Sequence, residues 1–375
     1  MSEPVIYNYL VQMERRNATD LYLTVGVPPT MRVDDKLLSI TPENLDLGAL
    51  NDILATILTT RQRRDFEGKL ELNTAIDMGR HGRFRVNILQ QRQHPALVIR
   101  RIISRIPTFE ELRLPPLMRQ LSMLKRGLIL LTGMTGSGKS TTLASMVDHR
   151  NTHSQGHIIT IEDPIEYYHE HKSCVVTQRE IGVDTESYSV ALKNALRQRP
   201  DVILVGEIRD REVMEQALTA AETGHLCLAT IHTNNSYQAI DRIVNLFNED
   251  MHQQIRLNLS TNLKSIISQR LIPTVNGGMT VALELMLNQG LVRELILEGK
   301  ISKIREVMEA NQSMGMCTFD QSLLALFQAG LISEDTALAQ SDMPGDMKIK
   351  LQQARIGAVN SGLSEMDTSL LTISE

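Results

Sequence analysis

Tryptophan is absent from this chain of 375 residues, and aromatic residues of all kinds reach only 3%. Single-stranded nucleic acid is usually gripped by aromatic platforms, so that class of partner is disfavoured at the outset. The three cysteines, Cys174, Cys227 and Cys317, lie far apart and form no CxxC pair. They supply neither a disulfide framework nor a zinc module, and they suit a reducing cytosol. Charge of one sign is not in excess: 39 basic against 44 acidic residues leave a formal −5, with no global pull toward nucleic acid or anionic lipid. No run nears the ~20 apolar residues of a membrane span, and MSEPVIYNYLVQMERR lacks the pattern of a secretory leader. The expectation is a cytoplasmic protein without a transmembrane segment.

The length fits two domains rather than one core. Residues 1–104 are predicted to be an α+β domain. YNYLVQMERR is a helix, DLYLTVGVPPTMRV is two strands about Pro28-Pro29, and LGALNDILATIL is a second helix. NTAIDM and RFRVNILQQ form a hairpin about Gly79–Gly82, and PALVIRRII is a further strand. A proline-marked linker covers 105–116. From 117 to 343 apolar strands alternate with amphipathic helices, which implies parallel strands with helical crossovers. Beyond Arg256 the chain is predicted to be mainly helical, with one hairpin at Asn276-Gly277-Gly278 and a capped helix starting at Thr318 and Gln321. Residues 344–375 have no clear periodicity and are expected to form a tail with one candidate helix, outside the packed core.

GMTGSGKS, Gly133 to Ser140, is the most specific motif. It satisfies G-x-x-x-x-G-K-[ST] and sits between the strand GLILLT and the helix KSTTLASMVDHRN. Backbone N–H groups of Gly133, Thr135, Gly136, Ser137 and Gly138 would turn toward phosphate oxygens, and the helix start at Lys139, Ser140 and Thr141 adds partial positive charge. Lys139 would reach the β and γ phosphates, and Ser140 would ligate Mg2+. ATP and Mg2+ are therefore the expected cofactors.

Three further segments carry acid or imidazole chemistry. ITIEDPIEYYH delivers Glu162 and Asp163 at a strand end. DVILVGEIRD ends its apolar strand in Gly206, so the acid comes one place late, as Glu207, able to hold magnesium or orient water. TGHLCLATIHT places His225 and His232 at opposite ends of a strand, about 23 Å apart if extended, so both cannot serve one phosphate.

Taken together, these four segments resemble the secretion-type ATPase superfamily: phosphate loop, Asp box, an atypical Walker B strand ending in glycine-glutamate, and His box. Within it the chain is similar to the pilus-retraction ATPases, the PilT/PilU family, through ATDLYLTVGVPPTMRV, GRFRVN, IDRIVNLF and LKSIISQRLIP, the last expected to be a helix. LVRELILE at 291–298, NNSYQAIDRI and the extended tail lean toward the PilU branch, while Arg199 in LRQRPD departs from the family pattern.

The resemblance implies a RecA-like α/β P-loop core, an N-terminal PAS-like domain and a mainly helical C-terminal region. It implies a homo-hexameric ATP-hydrolysing motor for type IV pilus retraction and twitching, acting as an accessory to a PilT-type sister ATPase. That motor would sit at the inner-membrane platform protein, peripherally and on the cytoplasmic side. Glu162 becomes the base for water, Glu207 the magnesium ligand with Ser140, and His225 and His232 nucleotide sensors, His232 with a catalytic part. Arg83, Arg85, Arg100 and Arg101 are candidate arginine fingers. Two other readings are an ATP-binding partner ring with little turnover and a nucleic-acid translocase; the second needs a basic groove that the sequence does not supply.

Overall fold

A computed structural model describes residues 4–34, 36–102 and 105–366. The expected boundary at residue 104 and the end of the tail, 367–375, lie outside the described residues. The chain divides into two compact units. One comprises Met1–Ile106, Ile161–His171 and Gln178–Ala191; the other comprises Pro107–Thr160, Lys172–Thr177 and Leu192–Glu375.

In the first unit, α1 (Val5–Arg15) leads to β1 (Asp20–Thr24), β2 (Thr30–Val33) and β3 (Lys36–Ser39). Then come α2 (Leu47–Ile57), α3 (Thr60–Lys69), β4 (Glu71–Asp77), β5 (Arg83–Gln91) and β6 (His94–Arg101). The strands form one sheet in the order β3-β2-β1-β6-β5-β4, paired antiparallel. One face is apolar. β5 buries Phe84, Val86 and Ile88 completely, and the alternation sends Arg83 and Arg85 to the other face. Helix α1 covers the buried side with Ile6, Leu10 and Met13, the spacing of one helical stripe. The sequence expectation omits α3, a charged segment that buries only Phe66 and is fixed by a capping box of Thr59 and Gln62.

The rest of the chain gives α4 (Leu117–Ser122), β7 (Gly127–Thr132), α5 (Lys139–His153), β8 (Gly156–Glu162), β9 (Cys174–Glu180) and α6 (Tyr188–Ala195). It continues with β10 (Val202–Val205), α7 (Arg211–Glu222), β11 (Leu226–Ile231), α8 (Ser236–Asn245) and α9 (His252–Asn262). β12 (Leu263–Pro273) and β13 (Met279–Leu287) complete a sheet ordered β13-β12-β7-β11-β10-β8-β9. Strands β12, β7, β11 and β10 pair in parallel with one another, β13 joins β12 antiparallel, and every residue of β7, β10 and β11 is buried. Continuous apolar runs are what a sheet covered on both faces requires. Among the described residues, five α-helices follow: α10 (Leu291–Glu298), α11 (Ile304–Ala310), α12 (Phe319–Gln328), α13 (Glu334–Gln340) and α14 (Pro344–Met366).

Two expectations need correction. LKSIISQRLIP is strand β12, not a helix. It lies between β7 and β13, so Ile266, Ile267 and Ser268 are buried on both faces, and an apolar run of that kind has no period that separates the two states. The start of the C-terminal segment is not outside the core either. Met347 and Leu351 of α14 are fully buried with Ile272, Phe319 and Leu323.

Candidate nucleotide-hydrolysis site

Strand β7 ends at Thr132, and the chain then turns through Gly133–Gly138 before α5 begins. Two glycines explain the turn. Gly133 has φ 146°, and a Cβ there would meet Ser137 Oγ at 2.5 Å and the Gln269 carbonyl at 2.6 Å, so only glycine fits so close to β12. Gly138 precedes the helix at φ 87°, in the left-handed region. No side chain caps α5. A helix start of this kind, at Lys139, Ser140 and Thr141, is where anions bind, since its N–H groups point along the axis and carry the positive end of the dipole. Lys139 curls back over the loop, and its Nζ donates to the carbonyls of Gly133 and Met134 at 2.8 Å each. Ser137 Oγ is buried and makes no hydrogen bond, a donor held at the turn where a phosphate oxygen would accept it.

The second element is the turn after β10. Thr230 of β11 holds it at two points: its hydroxyl donates to the Gly206 carbonyl at 2.5 Å, and its own carbonyl accepts from Ile208 N–H at 2.8 Å. The residue between those anchors is Glu207. Its carboxylate accepts from Arg209 Nε at 2.7 Å and lies 3.4 Å from His232 Nε2. β11 separates β7 from β10 in the sheet, so the phosphate loop and Glu207 occupy the same end of three parallel strands, about 10 Å apart across the sheet. Ligands of parallel α/β sheets bind at that carboxyl end.

The histidines separate as the strand direction requires. His232 follows the C-terminal end of β11 and reaches Glu207. His225 precedes the other end, where its ring contacts Thr223 Oγ1 and the Ala220 carbonyl at 3.1 Å each. Six residues of strand keep it about 20 Å from the loop, so the structure does not bring His225 to the site as a sensor.

Glu162, the last residue of β8, belongs to the first unit, where Gln178 Nε2 donates to it at 3.3 Å. Gln178 also bonds the main chain of Tyr167 and His169, which ties the Asp-box turn to β9. The same unit holds the four arginines. Arg83 and Arg85 have buried Nε atoms without hydrogen-bond partners and lie in the field of Glu180, a carboxyl only 2% exposed. Burial pushes that carboxyl above its usual range, while the Ile165 N–H and the two arginines oppose the shift. Arg100 pairs with Asp20 at 2.8 Å, and Arg101 bonds Asn17 and the Glu14 carbonyl at 3.4 Å. Those two are engaged at the end of the sheet.

Two contributors were not anticipated from sequence. Thr230 is buried inside the His-box strand, and only its hydroxyl in an otherwise apolar run hints at a role. Arg209 sits two residues from Glu207, close enough for the pairing to be foreseeable.

A phosphate loop on a central parallel strand, with a glutamate turn on the next strand but one, defines the class: a P-loop ATPase. The chain belongs to the type II/IV secretion system protein family, which it matches over residues 30–318. It is 46% identical to the type IV pilus ATPase PilU of Pseudomonas aeruginosa over 341 residues, covering 91% of this chain and 89% of that protein. It is 42% identical to the type IV pilus retraction ATPase PilT of the same organism, over 88% of this chain and 96% of that one. Its fold superposes on the crystal structure of the pilus retraction motor PilT with bound ADP at a TM-score of 0.84 and 39% identity, covering 92% and 98% of the two chains. No helix among the described residues is long and apolar enough to cross a membrane.

Proposed function

We propose that this chain is the ATP-hydrolysing subunit of a hexameric motor for type IV pilus retraction, accessory to a PilT-type sister ATPase. The observation that carries the reading is the placement of Glu207, held by Thr230 at the carboxyl end of the strands that bear the phosphate loop. In this reading the loop N–H groups and Lys139 bind the β and γ phosphates. Ser140 and Glu207 are hard oxygen donors suited to Mg2+, which supplies charge neutralisation and would take its other ligands from phosphate and water. Glu162 accepts a proton from the attacking water, and His232 steadies Glu207. Of the four arginines, Arg83 and Arg85 are taken as the fingers, since Arg100 and Arg101 are held by local partners. The motor works at the cytoplasmic face of the inner-membrane pilus platform, held there by protein contacts.

A second reading, a partner ring with little turnover, is favoured by the Arg209 guanidinium that occupies Glu207. Pilus retraction in cells separates the two. In a strain that keeps the PilT-type sister, loss of this chain should weaken retraction, and Lys139→Ala should fail to restore it. Restoration by Lys139→Ala would favour the partner ring.

A further inference from the structure

Among the described residues, the acids Asp20, Glu180, Glu284 and Asp320 are buried. Three of them are well matched: Asp20 pairs with Arg100, Asp320 pairs with Arg305, and Glu284 accepts from Ser236 and Ser268. Glu180, the last residue of β9, is different. It is 2% exposed, and among the described residues its carboxylate is held by one backbone donor, Ile165 N–H at 3.2 Å. A buried carboxylate with so few hydrogen bonds needs an opposite charge close by. Arg83 and Arg85 supply it, since both favour its ionised form against the effect of burial. Their Nε atoms are themselves buried without hydrogen-bond partners, although each side chain is partly exposed. Unmatched groups on both sides of one charge arrangement call for a reason.

Strand β9 grips the turn that follows Glu162. Gln178 and Glu180 stand two residues apart on the strand and so share a face. Gln178 takes Glu162, Tyr167 and His169, and Glu180 takes Ile165. The next N–H along the strand, of Ile181, donates to the Glu162 carbonyl at 2.9 Å. The strand end is braced as well. Glu180 N–H donates to Asp184 Oδ2 at 2.9 Å, and the Glu180 carbonyl accepts from the N–H groups of Asp184 and Thr185 at 2.8 and 3.2 Å. Glu180 is thus fixed by its main chain, and its carboxylate serves two neighbours: the turn that bears Glu162 and the arginine pair of β5. All of these residues lie in one compact unit.

We propose that Glu180 is a positioning residue for hydrolysis, its buried carboxylate holding the Glu162 turn and the Arg83–Arg85 pair in one frame. The acid that takes the proton and the guanidinium groups that meet transition-state charge are then set by a single group. Glu180 itself meets no nucleotide; it acts through Ile165 on one side and the arginines on the other. This rests on the reading above that Glu162 and the two arginines serve hydrolysis.

The test is steady-state ATP hydrolysis by the full chain, with kcat and KM separated. Glu180→Gln keeps an acceptor for Ile165 N–H and removes the charge that faces the arginines. It should lower kcat about tenfold and leave KM for ATP within about twofold, the pattern of an interaction made only in the transition state. In an Arg83→Ala, Arg85→Ala background the same change should cost no more than about twofold, because the partners of the charge are gone. Glu180→Asp keeps the charge and gives up reach, so it carries the test if Glu180→Gln does not fold: kcat should again fall with KM held. Parent-like turnover in the Gln or Asp variant would overturn the positioning role. So would equal damage to kcat and KM, or a full further tenfold loss in the background without the arginines. Glu162→Gln checks the underlying reading separately and should cost at least about a hundredfold in kcat. Turnover retained there would overturn the role of Glu162, and the proposal with it, whatever Glu180→Gln does.

Discussion

Arg209 Nε donates to Glu207 Oε2 at 2.7 Å, two residues along the same turn, while His232 Nε2 stands 3.4 Å from the other carboxylate oxygen. If Glu207 serves magnesium, Arg209 competes with the metal for it. The Arg209 side chain is 55% exposed, so the pair is worth about 0.2–1 kcal/mol, at most about a fivefold effect. Arg209→Ala should therefore lower the Mg2+ concentration that half-saturates ATP hydrolysis, by up to about fivefold. A rise in that concentration would mean that Arg209 supports the metal site.

Thr230 fixes the glutamate turn through its hydroxyl and its carbonyl, and only the hydroxyl can be removed by substitution. Thr230→Val keeps the branched shape of the strand and deletes the bond to the Gly206 carbonyl. We expect turnover to fall about tenfold, stability to fall by about 1–2 kcal/mol, and ADP affinity to hold within twofold. Thr230→Ser should restore turnover. Stopped-flow phosphate release beside ADP titration reads both quantities. Equal loss of turnover and ADP affinity would count against a role in placing Glu207.

Gly133 and Gly136 both have positive φ, yet their surroundings differ. A Cβ on Gly133 meets Ser137 and the β12 main chain, while one on Gly136 meets nothing within 4 Å. Gly136→Ala should cost only the left-handed strain of about 1–2 kcal/mol. Gly133→Ala should cost about 2–3 kcal/mol more, because the loop must leave β12, and it should abolish ADP binding. Chemical denaturation curves of the two variants give the comparison. Equal losses would show that the loop yields freely.

Glu284 is a buried acid behind the start of α8. It accepts from Ser236 N–H at 2.7 Å, Ser236 Oγ at 2.5 Å and Ser268 Oγ at 3.3 Å. Burial pushes its carboxyl above the ordinary 4.5, with Asp342 adding to the rise and the serine bonds opposing it. The folded state then holds the proton more tightly than the unfolded chain does. Its contribution to stability is greatest below the unfolded value and declines as pH rises from about 4.5 toward the folded value. Glu284→Gln removes the titration, so its melting temperature relative to the parent should climb between pH 5 and pH 8. A constant difference across that range would contradict a raised carboxyl.

What could be read from sequence depended on how far apart the cooperating residues lie. The phosphate loop needs a strand, a glycine turn and a helix start within one contiguous stretch, and all three are visible in the letters. Glu207 was legible as an acid displaced by Gly206, but its contact with His232 depends on β10 pairing parallel to β11, with Val205 opposite Ala229. Strand direction also decides between the two histidines, which the spacing alone left open. LKSIISQRLIP has an apolar run that suits either state, and only its place between β7 and β13 makes it a strand. The tail hid its role for a similar reason: Met347 and Leu351 are spaced for one helical face, but their partners are on β12 and α12.

Hydrolysis itself tests the central claim most directly. Steady-state phosphate release from ATP should be measured for the purified full chain, with and without Mg2+, beside Lys139→Ala and Glu207→Ala. The expected result is Mg2+-dependent turnover that falls at least about a hundredfold in both variants, the scale of removing a group that stabilises transition-state charge. Turnover that persists in Glu207→Ala, or a parent chain that binds ATP and never hydrolyses it, would contradict the account.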